Sequence, residues 1–93
     1  MKSVLSLNLK REFFDQIANG EKTIEYRERK PHWESRLEGK TFDIVRFRNG
    51  YGANVPEMDV EFHGIKKVRK GGELYYAIEL GRVLRTQRWQ RPN

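Results

Sequence analysis

The chain contains no cysteine. That excludes disulfide staples, thiolate metal sites and a cysteine nucleophile, and it fits a reducing compartment. Histidine is almost as scarce. His32 and His63 are the only two, and neither belongs to a cluster with metal-ligand spacing, so no metal and no cofactor is expected. Long apolar runs are missing too. No stretch approaches the roughly 18 residues that cross a bilayer, and Met1-Lys2-Ser3-Val4-Leu5-Ser6 has no apolar signal-peptide core. The expectation is a cytoplasmic protein with no membrane partner. Ser3, Ser6 and Ser35 have no nucleophile-elbow context, and no glycine-rich loop precedes a Lys-Ser or Lys-Thr pair. A Ser-His-Asp hydrolase and a P-loop nucleotidase are therefore set aside.

What the chain does have is charge. Nineteen Lys and Arg stand against thirteen Asp and Glu, a formal net charge of +6. Such a balance favours a polyanionic partner through phosphate neutralisation and counterion release. The chain has 93 residues, five Phe, four Tyr and two Trp, which is material for one domain, 1–93, with one modest core.

The hydropathy pattern alternates between periods. Leu5, Leu7 and Leu9 alternate with Ser6, Asn8 and Lys10, as in a strand. Phe13, Phe14, Ile17 and Ala18 recur at helical spacing, and Gly20 suits the left-handed position after a helix of about 11–19. Period two returns over 22–28. Pro31 fits the first turn of a short helix, about 31–37, that holds Trp33 and Leu37. Further strands are expected over 41–48, around Met58, Val60 and Phe62 with a bend at Gly64, and over 75–80. Gly81 is expected to end that strand, and 82–89 to add a final one. The fold class read from this order is α+β, a small β-barrel of five to six strands with one main helix and one short one.

The densest charge lies in Gly20-Glu21-Lys22-Thr23-Ile24-Glu25-Tyr26-Arg27. Glu25 and Arg27 are two apart on a strand and so share a face. Arginine offers a planar fork of donors for phosphate or a base edge. Glu25 can orient that fork, accept a base amino group or act as a general base. Lys22, just past the glycine, can reach the same cleft.

The order strand, helix, Gly-x-Lys-Thr-x-Glu-x-Arg, then strands resembles the ASCH domains, the activating signal cointegrator-1 homology family. Leu5-Ser6-Leu7-Asn8-Leu9, Phe14 to Gly20, Val45-Arg46-Phe47 and Tyr75 to Leu80 carry the rest of the likeness, which covers about 4–81. The resemblance implies a PUA-like barrel with a cleft lined by the motif, and RNA-related roles. Some members look like ribonucleases, and others resemble an amidohydrolase acting on acylated cytidine. In the amidohydrolase pattern the motif lysine, here Lys22, is the nucleophile, with threonine three residues later. This chain has Glu25 there, and its Lys70-Gly71-Gly72 turn replaces a helical insertion that carries another glutamate. Both departures favour RNA or nucleotide binding over acylcytidine hydrolysis.

A second cluster follows. Arg46 and Arg48 share a strand face, next to Asn49 and to Tyr51 in a glycine-bounded loop, where a tyrosine can stack on an unpaired base. Lys66, Lys67, Arg69 and Lys70 form a basic run that either tracks phosphates or protects a strand edge. Arg82, Arg85, Arg88 and Arg91 give a basic C-terminal segment, 82–93.

The expected site is a cleft of Lys22, Glu25 and Arg27 with a rim of Arg46, Arg48, Asn49 and Tyr51, binding RNA or a nucleotide. The alternative is a metal-independent ribonuclease on single-stranded RNA. There Glu25 would take the 2′-hydroxyl proton while Lys22 and Arg27 stabilise the phosphorane. Acylcytidine hydrolysis through Lys22 is the weaker alternative.

Overall fold

The computed structural model of the protein describes residues 2–91. Met1, Pro92 and Asn93, at the ends of the expected domain and of the basic segment, lie outside the described residues. Five strands and two helices follow in the order β1 (Val4–Asn8), α1 (Arg11–Ala18), β2 (Ile24–Glu28), α2 (Pro31–Leu37), β3 (Ile44–Arg48), β4 (Glu57–Lys70) and β5 (Glu73–Gln87). The α+β class is as read from the sequence. The strands form one mixed sheet in the order β1-β3-β4-β5-β2, with β1 parallel to β3 and the other pairs antiparallel.

The sheet is not closed into a barrel. β1 and β2 are its two edges, and no backbone ladder joins them among the described residues. Five strands are present rather than six, because 75–80 and 82–87 are one strand. Gly81 does not end it. A Cβ there would sit 2.2 Å from His63 Nε2 and 2.6 Å from Glu61 Oε1, so glycine makes room where β4 and β5 slip register between Asp59 and Gly64. A glycine that marks a bulge looks in sequence like one that stops a strand.

The inward face follows from the register. Leu5 and Leu7 lie opposite Val45 and Phe47, which face Val60 and Met58 in turn. All six are buried, and Phe14 and Ile17 of α1, Leu37 of α2, Tyr76, Ile78 and Leu80 of β5, and Leu9 join them in the core. Burial of each large apolar side chain contributes about 1.5–3 kcal/mol. Trp89, just past β5, packs on this core and donates from Nε1 to Asp15 Oδ1 at 2.8 Å.

One turn sets up the site. The Gly20 amide donates to Ile17 O at 3.0 Å and the Glu21 amide to Gln16 O at 2.8 Å. That pair of bonds is a Schellman cap, with Gly20 at φ +79° in the left-handed region that side chains resist. The cap satisfies the last carbonyls of α1 and turns the chain into β2. Lys22 precedes the strand rather than lying on it, since β2 begins at Ile24. Gly20→Ala should therefore cost about 1 kcal/mol of stability, and Gly20→Asn less, because Asn tolerates this conformation better. Urea unfolding reads both, and an unshifted Gly20→Ala midpoint would contradict the cap's role.

Candidate functional site

Glu25 pairs in register with Ile78, and Arg27 with Tyr76. Their side chains therefore face inward, beside two core residues. Glu25 is only 7% exposed, and a carboxylate so buried needs partners. Its Oε2 accepts from Arg27 Nε at 3.0 Å, and its Oε1 lies 3.6 Å from Lys22 Nζ. The structure thus brings Lys22, Glu25 and Arg27 together. The Lys22 ammonium also lies 5.5 Å from the Phe13 ring centre and 5.6 Å from that of Tyr26.

Arg27 reaches further. Its Nη2 donates to the backbone oxygen of Asn8 at 3.0 Å, so a side chain from one edge strand satisfies a carbonyl of the other. Arg36 of α2 does the same for Ser6, at 3.0 Å. Between these two arginines lies Trp33. Its ring centre is 4.9 Å from the Arg27 guanidinium carbon and 5.2 Å from that of Arg36, within cation–π range. Helix α2 therefore fills the seam between the sheet edges with Trp33 and Arg36, against the Arg27 guanidinium of β2.

A cleft of about 410 Å³ opens along this seam. Its walls include Asn8, Arg27, Trp33, Arg36, Arg48 and Tyr51, and none of the described lining residues is acidic. Arg27 answers Glu25 and Arg48 lies 3.2 Å from Glu57. The wall thus carries three guanidinium groups, of which Arg36 alone is without a carboxylate partner among the described residues.

The loop after β3 is anchored. Asn8 Nδ2 donates to Gly50 O at 2.7 Å while the Gly50 amide donates to Asn8 Oδ1 at 3.2 Å, and Asn49 Nδ2 donates to Leu9 O at 2.9 Å. Arg48 Nη2 donates to Gly52 O. Asn49 is thus occupied in holding the loop against β1. Tyr51, on the same loop, is 87% exposed beside the cleft. An aromatic ring left in water on a tethered loop is available to stack.

Arg46 goes elsewhere. It shares a strand face with Arg48, as the spacing requires, but is not a wall of the cleft. Its fork binds Asp59 through Nε at 2.8 Å and Nη2 at 3.0 Å. Arg85 adds 2.9 Å to Asp59 Oδ2 and a second contact to Glu57. These hydrogen bonds hold both acids below the usual carboxylate range, Arg46 leading for Asp59 and Arg85 for Glu57, and they raise both arginines in turn. Arg85 of the basic segment, on β5, is therefore paired with two acids of β4, while Arg82, Arg88 and Arg91 stay exposed.

Sequence reasoning missed Asn8, Trp33 and Arg36 as site residues. The signal was present, since Trp33 and Arg36 are three apart in a helix and share a face. Another cleft, of about 420 Å³, lies at the end of α2 over Phe62, Ile65 and Tyr76. Its carboxylate, Glu38, is already held by Lys67 and, at 2.6 Å, by the Tyr76 hydroxyl, and it holds none of the nominated residues. Among the described residues no three His, Cys, Asp or Glu side chains could hold a metal ion, and no helix is long and apolar enough to cross a membrane.

The lowered acids carry a pH prediction. A carboxyl that titrates lower when folded than when unfolded contributes stability above its unfolded value, and that stability is lost as pH falls through the folded value. Stability should therefore drop on acidification from about pH 4.5 downward. Asp59→Asn should make that fall shallower in urea unfolding at a series of pH values. An unchanged slope would remove the cluster as its source. Compared with family models, curated proteins and solved structures, the chain matches none.

Proposed function

We propose that the protein is an ASCH-type, PUA-like module that binds RNA or a nucleotide in the seam cleft. The observation that carries the reading is the wall itself, three guanidinium groups with no described carboxylate among its lining residues, next to Trp33 and a water-exposed Tyr51. Guanidinium forks suit phosphate oxygens. An aromatic ring suits an unstacked base and does not depend on its identity. Arg36 is the principal phosphate donor, because it alone of the three arginines is uncommitted to a carboxylate. Arg48 supports it, and Tyr51 offers the stacking surface. Exposed Arg82, Arg88 and Arg91 add sequence-independent attraction.

Binding has better support than cleavage. In the ribonuclease reading Glu25 must accept a proton, yet both its oxygens face cations and it does not line the cleft. Acylcytidine hydrolysis has less support still. Lys22 lines a separate depression with Gln16, Thr23 and Tyr26, so a substrate in the seam would lie away from its amine.

Affinity for single-stranded RNA should fall linearly on a logarithmic salt axis, and Arg36→Gln should flatten that slope by about 0.7, the value of one phosphate contact on a single strand. Tyr51→Ala should weaken binding about tenfold or more, as loss of one stacked base implies, with the unfolding midpoint unchanged because the ring is already in water. Fluorescence anisotropy over a salt series measures both. Salt-insensitive binding, or none, would overturn the reading.

A further inference from the structure

The seam cleft shares two wall residues with a second aromatic and cationic station. Arg27 and Trp33 line the seam cleft and also an adjoining cleft of about 330 Å³, whose other walls include Tyr26, Lys30 and Tyr75. Tyr26 and Tyr75 meet edge to face, with ring centres 6.3 Å apart. Register explains this. Tyr26 lies opposite Ala77 and Glu28 opposite Tyr75 on the antiparallel β2–β5 pair, so the two rings are diagonal neighbours on one face. Lys70, at the end of β4, sets its ammonium 3.8 Å from the Tyr26 ring centre and 5.9 Å from that of Tyr75. Lys70 has no carboxylate partner among the described residues. Glu28 is the one described acid in this wall, and Lys30 lies 3.3 Å from it.

From this juxtaposition we infer that the ligand is a single-stranded RNA several nucleotides long, which runs from the seam cleft past Trp33 onto the Tyr26–Tyr75–Lys70 station. The inference rests on the RNA reading above and sharpens it, because a free mononucleotide would occupy one station and leave the other empty. Alternating rings and cations match the alternating bases and phosphates of an unpaired strand. A duplex cannot make this path, since its bases are stacked on one another and closed to side-chain rings. Tyr26 also belongs to the depression that Lys22 lines. That gives Lys22 a place at the far end of the track, as a phosphate contact and not as a nucleophile.

The test titrates the full chain with oligouridylates of one, three and six nucleotides. Affinity should rise with length. Tyr75→Ala should weaken the six-nucleotide ligand about tenfold, the lower range of one lost base stack, and leave the single nucleotide unchanged. Tyr75→Phe, which keeps the ring, should restore it. Lys70→Gln, a surface change that does not threaten folding, should flatten the salt slope for the six-nucleotide ligand alone. Arg36→Gln should weaken every length. If Arg36→Gln acts but Tyr75→Ala and Lys70→Gln leave the longest ligand untouched, the track is wrong and the seam site stands. If no length binds, both fall together.

Discussion

The two edges of the sheet come near each other without pairing, and side chains do what a ladder would have done. The carbonyls of Ser6 and Asn8 point out of the β1–β3 pair. Left unpaired, the partly buried Asn8 carbonyl would cost free energy comparable to a lost hydrogen bond, and the more exposed Ser6 carbonyl less. Arg36 and Arg27 supply the missing donors. Arg27 can do so because Glu25 holds its Nε from the same strand. The burial of Glu25 thus has a cause in the fold. Removing one partner of such a pair typically costs about 3–5 kcal/mol, because the other charge stays buried alone. The arginines that close the seam are also the cations that line it, so the positive cleft is a consequence of how the edges are satisfied.

The net charge of +6 overstates how much of the surface is free to attract an anion. Arg46 and Arg85 are bound to Asp59 and Glu57 across β3, β4 and β5. Lys66 and Lys67 face Glu79 and Glu38. Much of the basic composition is therefore taken up in ion pairs between neighbouring elements, where each exposed pair contributes little energy. Arg36 and Lys70, which have no carboxylate partner among the described residues, lie against aromatic rings. The positive charge without a carboxylate partner is thus placed where the rings are.

Local signals in the sequence were reliable, and long-range ones were not. The helix over 11–18, its glycine cap and the proline-started helix at 31 follow from spacing and capping alone. So does the shared face of Glu25 and Arg27, which needs only strand periodicity. Gly81 misled because a register slip with β4 is invisible until both strands are paired. Arg46 misled because its spacing matches that of Arg48, while its partner Asp59 is thirteen residues away and announced only by the β3–β4 register. In the sequence Trp33 stands only as a residue held, with Leu37, by a short helix. It became a site residue only when the fold placed α2 between the sheet edges, and no local pattern encodes that placement.

The same geometry divides labour among the arginines. Arg27 cannot leave Asn8 and Glu25 without reopening the seam, so in the proposed reading it would act on a ligand through its field while staying against Trp33. Arg48 is tied to Glu57 and to the Gly52 carbonyl, which also secures the loop that carries Tyr51. Arg36 holds one carbonyl, keeps further donors of its guanidinium unspent, and sits at the mouth. In the proposed reading, a phosphate arriving there would meet donors already positioned by folding, and a ring on a loop already anchored by Asn8 and Asn49. Little ordering entropy then remains to be lost on binding. On that proposal, affinity would come from rigidity that the fold required for its own closure. Glu25, with both oxygens turned toward cations, serves that rigidity better than it would serve proton transfer.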